Sequence, residues 1–123
     1  MTSKTTNATF FAAAITLLTM TGTSYADSVG VASYYGKEFS GRRTANGERF
    51  NPGGLTAAHR SLPFGTKLQV TNLRNGKKVV VRITDRGPFA KGRVLDLSLG
   101  AARAVGMVSS GTAKVKMERL ASR

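Results

Sequence analysis

The stretch Val79 to Phe89, VVVRITDRGPF, constrains the fold of this chain more than any other. Val79, Val80, Val81 and Ile83 are β-branched and nearly continuous, which predicts a strand buried along most of its length. After Thr84 the strand must break. Asp85, Gly87 and Pro88 fall inside four residues, and Pro88 ends ladder pairing and biases Gly87 towards extended backbone. A carboxylate therefore stands where a rigid strand ends, the kind of place where functional groups are held. Local pattern leaves Asp85 two roles, turn cap or site residue.

The flanking sequence reads as short strands divided by glycine turns. Val29 to Tyr35 alternates, with Val29, Val31, Ser33 and Tyr35 on one face and Gly30, Ala32 and Tyr34 on the other, so one tyrosine is expected to pack and the other to face out. Gly36 to Gly54 is too rich in glycine for a helix and long for an idle loop. Lys67 to Asn72, Asn75-Gly76 and Lys77 to Thr84 form the strongest hairpin signal. Leu99 to Val105, closed by Gly106, is the one plausible helix, and Ala113 to Leu120 alternates as a final half-exposed strand. These elements predict a small all-β domain closed as a barrel, with one helical insertion.

Residues 1–26 read as a signal peptide. Lys4 is the one charge, Phe10 to Met20 is apolar, and Ser24-Tyr25-Ala26 supplies small residues for cleavage after Ala26. The apolar run falls well short of the ~20 residues of a membrane-spanning helix, so an exported chain without a stable membrane anchor is expected, in a bacterial periplasm or outside the cell. There is no cysteine to form a disulfide or carry a lipid. Residues 27–123 are expected to form one domain. Nineteen Lys and Arg against six acids give a formal charge of +13, which attracts polyanions; export argues against nucleic acid and leaves acidic lipid or cell-wall polymer. The cations are spread along the chain, as on an ordinary solvated surface.

Each of the few acids is informative. Glu38 lies in a polar loop, and Glu118 among lysines on an exposed strand face. Glu48 stands beside Gly47 and near Phe50, an environment expected to reduce its exposure and raise its pKa, as a general acid requires. Asp96, between Leu95 and Leu97, is expected to cap the following helix, with a site role second. His59 is the single histidine, and with no cysteine the chain offers no zinc set; no metal or cofactor is expected. No G-x-S-x-G elbow supports serine chemistry. What remains is a set of carboxylates with a histidine, and paired acids are the usual equipment of glycosidic cleavage.

Several segments, in order, carry a resemblance: Gly30-Val31-Ala32-Ser33-Tyr34-Tyr35-Gly36, Arg43-Thr44-Ala45-Asn46-Gly47-Glu48, Leu55-Thr56-Ala57-Ala58-His59, Leu62-Pro63-Phe64-Gly65-Thr66, Val70-Thr71-Asn72, Asp85-Arg86-Gly87-Pro88-Phe89 and Asp96-Leu97-Ser98. Together they resemble the RlpA-like (rare lipoprotein A) family across Val29 to Leu120. The resemblance implies a closed six-stranded double-psi β-barrel with one short helix. It also implies lytic transglycosylase action on peptidoglycan, with a preference for strands stripped of peptide; a monomer with glycan strands rather than nucleic acid as its partner is expected. The chain departs from the family pattern in lacking the lipidated cysteine and in carrying Asn51 where an aspartate is expected.

Residue by residue, the resemblance places catalysis on Glu48, His59 and Asp85. Ser33, Tyr34, Tyr35, Asn46, Asn51, Arg86 and Asp96 are expected to contact the glycan. Glu48 would protonate the leaving oxygen, His59 would orient a carboxylate or hold the glycan, and Asp85 would be kept ionised by Arg82, Arg86 or Arg93. The alternative is an expansin-like or barwin-like module that binds glycan without cutting it.

Overall fold

The computed structural model describes residues 27–121; the expected signal peptide lies outside them. Among the described residues the strands are β1 (Asp27–Tyr34), β2 (Thr56–Ala58), β3 (Lys67–Asn72), β4 (Lys78–Asp85), β5 (Arg93–Leu97) and β6 (Thr112–Arg119), and an α-helix, α1 (Leu99–Ala104), follows β5. They close into a barrel in the order β1-β5-β2-β4-β3-β6. Two of the pairings, β1 with β5 and β2 with β4, are parallel, and the other four are antiparallel.

Alternation in the strands fills the barrel. Val79, Val81 and Ile83 of β4, Leu68 and Val70 of β3, Val115 and Met117 of β6, and Leu95 and Leu97 of β5 all point inward. Val80 does not, being 40% exposed, so β4 alternates between buried and exposed positions rather than being buried along most of its length as expected. Helix α1 plugs one part of the core with Ala101 and Ala102, and Val105 and Met107 complete it. Small residues there let the helix approach closely. Gly100 shows how closely, since a Cβ at that position would stand 2.7 Å from the Gly53 carbonyl oxygen.

Several local expectations change. The β3–β4 reversal occupies Leu73 to Lys77, longer than a two-residue turn, and Gly76 takes φ +78 there. Gly87 is not extended but has φ +119, a conformation open to glycine. Asp96 is not the helix cap. It lies inside β5, and the cap is Ser98, whose side chain accepts the Ala101 N–H. Both tyrosines of β1's end are half-buried: Tyr34 donates to the Val108 carbonyl at 2.9 Å, and Tyr35 stacks on Phe50 with ring centroids 4.8 Å apart.

Candidate active site

The ends of β1, β5, β2 and β4 lie side by side. Register pairs Ser33 with Asp96, Asp96 with Ala58, and Ala58 with Asp85. The four residues thus form one row across four strands. The two aspartates are two strand spacings apart, about 9.5 Å between backbones, with Ala58 paired between them. Ala58, 2% exposed, is covered in this row, and its place between two aspartates is set by strand register rather than by any local pattern.

A bulge aims Asp85. Across the parallel pair, Arg82 meets Thr56, Ile83 meets Ala57 and Asp85 meets Ala58, so Thr84 is an extra residue without a β2 partner. The extra residue turns Asp85 to the outer face that Arg82 also occupies. There Asp85 Oδ1 accepts the backbone N–H groups of Ala45 and Arg86, both at 2.9 Å. Asp96 accepts a hydrogen bond from the Ser33 hydroxyl.

The Gly36–Gly54 segment supplies the lid of this row. It is organised by a small hairpin, with an Arg43–Arg49 bridge, Thr44 N–H on the Glu48 carbonyl at 2.7 Å, and Phe50 N–H on the Arg42 carbonyl at 2.7 Å. Gly47 at φ +92 permits its turn. Phe50, 5% exposed, pins the segment on Tyr35. Asn46 N–H then reaches the Thr84 carbonyl at 3.1 Å, which lays the loop over the end of β4. Tyr35 Oη is buried with no hydrogen-bond partner among the described residues, and burial, with the charges of Asp85 and Asp96, pushes its pKa well up.

Glu48 is not shielded as its neighbours suggested. Its carboxylate takes both terminal nitrogens of Arg82, at 2.7 and 3.0 Å, and the Asn46 amide at 3.0 Å. The Arg82 hydrogen bonds therefore hold its pKa below the usual carboxylate value, the reverse of the expected rise. Arg82 is in turn unavailable to Asp85, and Arg86 spends its guanidinium on the carbonyls of His59 and Leu62 and over the Phe64 ring, 4.0 Å from the centroid. Backbone amides, rather than the arginine side chains named from the sequence, hold Asp85.

His59 follows directly in β2's path, its N–H on the Asp85 carbonyl at 3.1 Å. Its Nδ1 accepts the N–H groups of Ser61 and Leu62 at 3.1 and 3.0 Å, which leaves the proton on Nε2. Burial, then the nearby charges of Arg86 and Arg60, lower its pKa and favour this neutral form. His59 makes no hydrogen bond to a carboxylate among the described residues. Asn51 closes a turn by accepting the Gly53 N–H at 3.0 Å, and together with Glu48, Arg82, Thr84, Thr56 and Leu55 it lines a cleft of about 280 Å³. The structure thus brings together Ser33, Asp96, Asp85 and the His59 backbone in one row, and sets Glu48 and Asn51 beside it in the adjoining cleft. No group of three or more His, Cys, Asp or Glu side chains among the described residues could hold a metal ion.

The family model described as "Lytic transglycolase" matches residues 27–117. The chain belongs to this family. Among curated relatives, it is 68% identical over 89 residues to the "Probable endolytic peptidoglycan transglycosylase RlpA" of Synechocystis sp., covering 72% of this chain and 28% of that protein. It is 54% identical over 89 residues to the "Endolytic peptidoglycan transglycosylase RlpA" of Campylobacter jejuni, covering 72% of this chain and 32% of that one. The chain therefore spans only about a quarter to a third of these relatives' length. The fold is also that of an expansin from Clavibacter michiganensis, with TM-score 0.63 at 22% identity over 79% of this chain and 52% of that one. The Streptomyces papain inhibitor has the same barrel, with TM-score 0.63 at 18% identity over 77% of this chain and 94% of that one. This is the RlpA-like double-psi β-barrel expected from the motifs.

Proposed function

We propose that this RlpA-like domain is an exported peptidoglycan lytic transglycosylase that cleaves glycan strands between N-acetylmuramic acid and N-acetylglucosamine. The observation that carries the proposal is the Ser33–Asp96–Ala58–Asp85 row, which sets two carboxylates in register on the rigid ends of neighbouring strands. The names of the relatives support the reaction class.

In this mechanism Asp85 moves the proton. Oδ1 is held by two backbone amides, and Oδ2, without a partner among the described residues, faces the substrate. Protonated Asp85 gives its proton to the leaving glycosidic oxygen, and its carboxylate then takes the proton of the muramoyl C6 hydroxyl as that oxygen closes on C1. Asp96, fixed by Ser33, stabilises the positive charge that develops on the sugar ring. His59 offers its Nε2 proton to the glycan. Glu48, the acid nominated from the sequence, is ionised and engaged by Arg82 in the free protein, so it serves first to hold the loop.

Incubating the purified chain with peptide-free glycan strands and weighing the products tests this reading. A transglycosylase leaves 1,6-anhydro ends, one water lighter than the reducing ends left by a hydrolase. Binding without any cleavage would favour the expansin-like alternative.

A further inference from the structure

The cleft beside the catalytic row holds a charged group that the mechanism above does not use. Arg82 presents both terminal nitrogens to Glu48, and Glu48 is the only acceptor of its guanidinium among the described residues. The pair is not locked in, since the two side chains are 40% and 47% exposed. An exposed ion pair of this kind is held weakly and exchanges readily with another carboxylate. The arginines of the covering loop are engaged elsewhere: Arg43 on the Gly47 carbonyl, Arg49 on the Gly41 carbonyl, and Arg42 over the Phe39 ring.

A second group in the cleft has unmet hydrogen-bonding capacity among the described residues. Thr84 lies at its floor, 1% exposed, and its hydroxyl is buried without a hydrogen-bond partner among the described residues. A buried unpaired hydroxyl is costly and marks a place where a bound group or water completes the bonding. Leu55, 48% exposed, gives one apolar wall, and the Asn51 side chain lines another. The volume of about 280 Å³ lies near the lower end of small-ligand pockets, ~300 Å³, which suits one sugar unit with the strand continuing outside.

We propose that Arg82 recognises a free carboxylate on the bound glycan, and that Glu48 occupies the guanidinium until that carboxylate replaces it. The inference rests on the peptidoglycan reading and deepens it. Muramic acid carries a lactyl side chain that ends in a carboxylate when no peptide is attached and in an amide when one is. A planar guanidinium grips the first through two parallel hydrogen bonds and has no such match in the second. Arg82 is then the residue that makes the domain select peptide-free strands. Loss of the Arg82 contact also lets the Glu48 carboxyl return towards its ordinary pKa, which makes the exchange observable.

Two measurements test this. In the first, peptide-free strands are compared with the same strands after their lactyl carboxylates are converted to methylamides. Wild type is expected to cleave the free acid with kcat/KM at least ~10-fold higher, and Arg82→Gln to bring that ratio to ~1, with Arg82→Lys between. Absence of a preference in wild type, or an undiminished preference in Arg82→Gln, overturns the proposal. In the second, N-acetylmuramic acid is titrated into the chain and the Glu48 carboxyl and Arg82 guanidinium are followed by NMR. Ligand is expected to shift both signals, and Glu48→Gln, which frees the guanidinium, to tighten binding; no shift, or weaker binding in Glu48→Gln, overturns the proposal. The second measurement needs no turnover. A chain that cleaves nothing but shows these shifts refutes the enzymatic reading and retains carboxylate recognition by Arg82.

Discussion

Asp85 Oδ1 accepts the backbone N–H of Ala45 at 2.9 Å, although the two residues are 40 positions apart in the chain. This contact ties the one long loop of the domain to the end of its central strand. It fixes the direction of the carboxyl group through backbone amides rather than through a cation. The loop and the site are consequently one structural unit, and changes in either should be felt in the other.

Asp96 and Ser98 separate a site role from a capping role. Ser98 is fully buried, accepts the Ala101 N–H at 3.2 Å and donates to the Gly54 carbonyl at 2.6 Å. Ser98→Ala should lower stability by about 1–3 kcal/mol in chemical denaturation, from a lost cap and an unpaired buried carbonyl. Asp96→Asn should leave the melting temperature nearly unchanged, since the amide oxygen still accepts from Ser33, while cutting turnover. Equal stability losses in the two variants would return Asp96 to the capping role.

Close packing of α1 against the loop gives a second test. The Cβ of Gly100→Ala would press on the Gly53 carbonyl oxygen at 2.7 Å and the Gly54 carbonyl oxygen at 3.1 Å, neither of which is a flexible side-chain end. Overpacking of this kind costs about 1–3 kcal/mol. The variant should melt lower, and hydrogen exchange should show faster opening of residues 51–55, whereas an unchanged melting curve would contradict the packing described.

How much of this was legible beforehand depends on whether the signal was local. The strand Val79 to Thr84, the hairpin partner Lys67 to Asn72, the helix and the last strand each advertise themselves by composition or period, and each appears. β5 was hidden because Arg93–Leu97 holds only a short alternation beside a helix start, so Asp96 was assigned to the cap of α1 rather than to a strand. The row of Ser33, Asp96, Ala58 and Asp85 depends on register between four strands, two of them parallel, which no local pattern encodes. Glu48 illustrates the same limit: its neighbours in sequence are Gly47 and Arg49, but Arg82, from another strand, decides its charge.

The acid side of the stability profile should show two steps. His59 has a folded pKa below its ordinary 6.5, so the unfolded chain binds more protons between those values; its contribution is present above pH 6.5 and is lost as pH falls through the folded pKa. Glu48 is likewise depressed below 4.5, and its contribution is lost as pH falls below that value. In His59→Asn the Oδ1 can accept the Ser61 and Leu62 N–H groups in place of Nδ1, so the fold should persist while the first step disappears from melting temperatures measured across pH. Persistence of that step would assign it to another group.

Asp85 is the group proposed to move the proton. The decisive comparison is between wild type and Asp85→Asn on peptide-free glycan strands, with products weighed and binding and melting temperature measured on the same samples. The amide oxygen of the variant can still accept from Ala45 and Arg86, so fold and binding should hold. Wild type is predicted to release fragments with 1,6-anhydro ends, and the variant to lose turnover by ~100-fold or more. Release of anhydro fragments by Asp85→Asn at the wild-type rate, or reducing ends from the wild type, would contradict this mechanism.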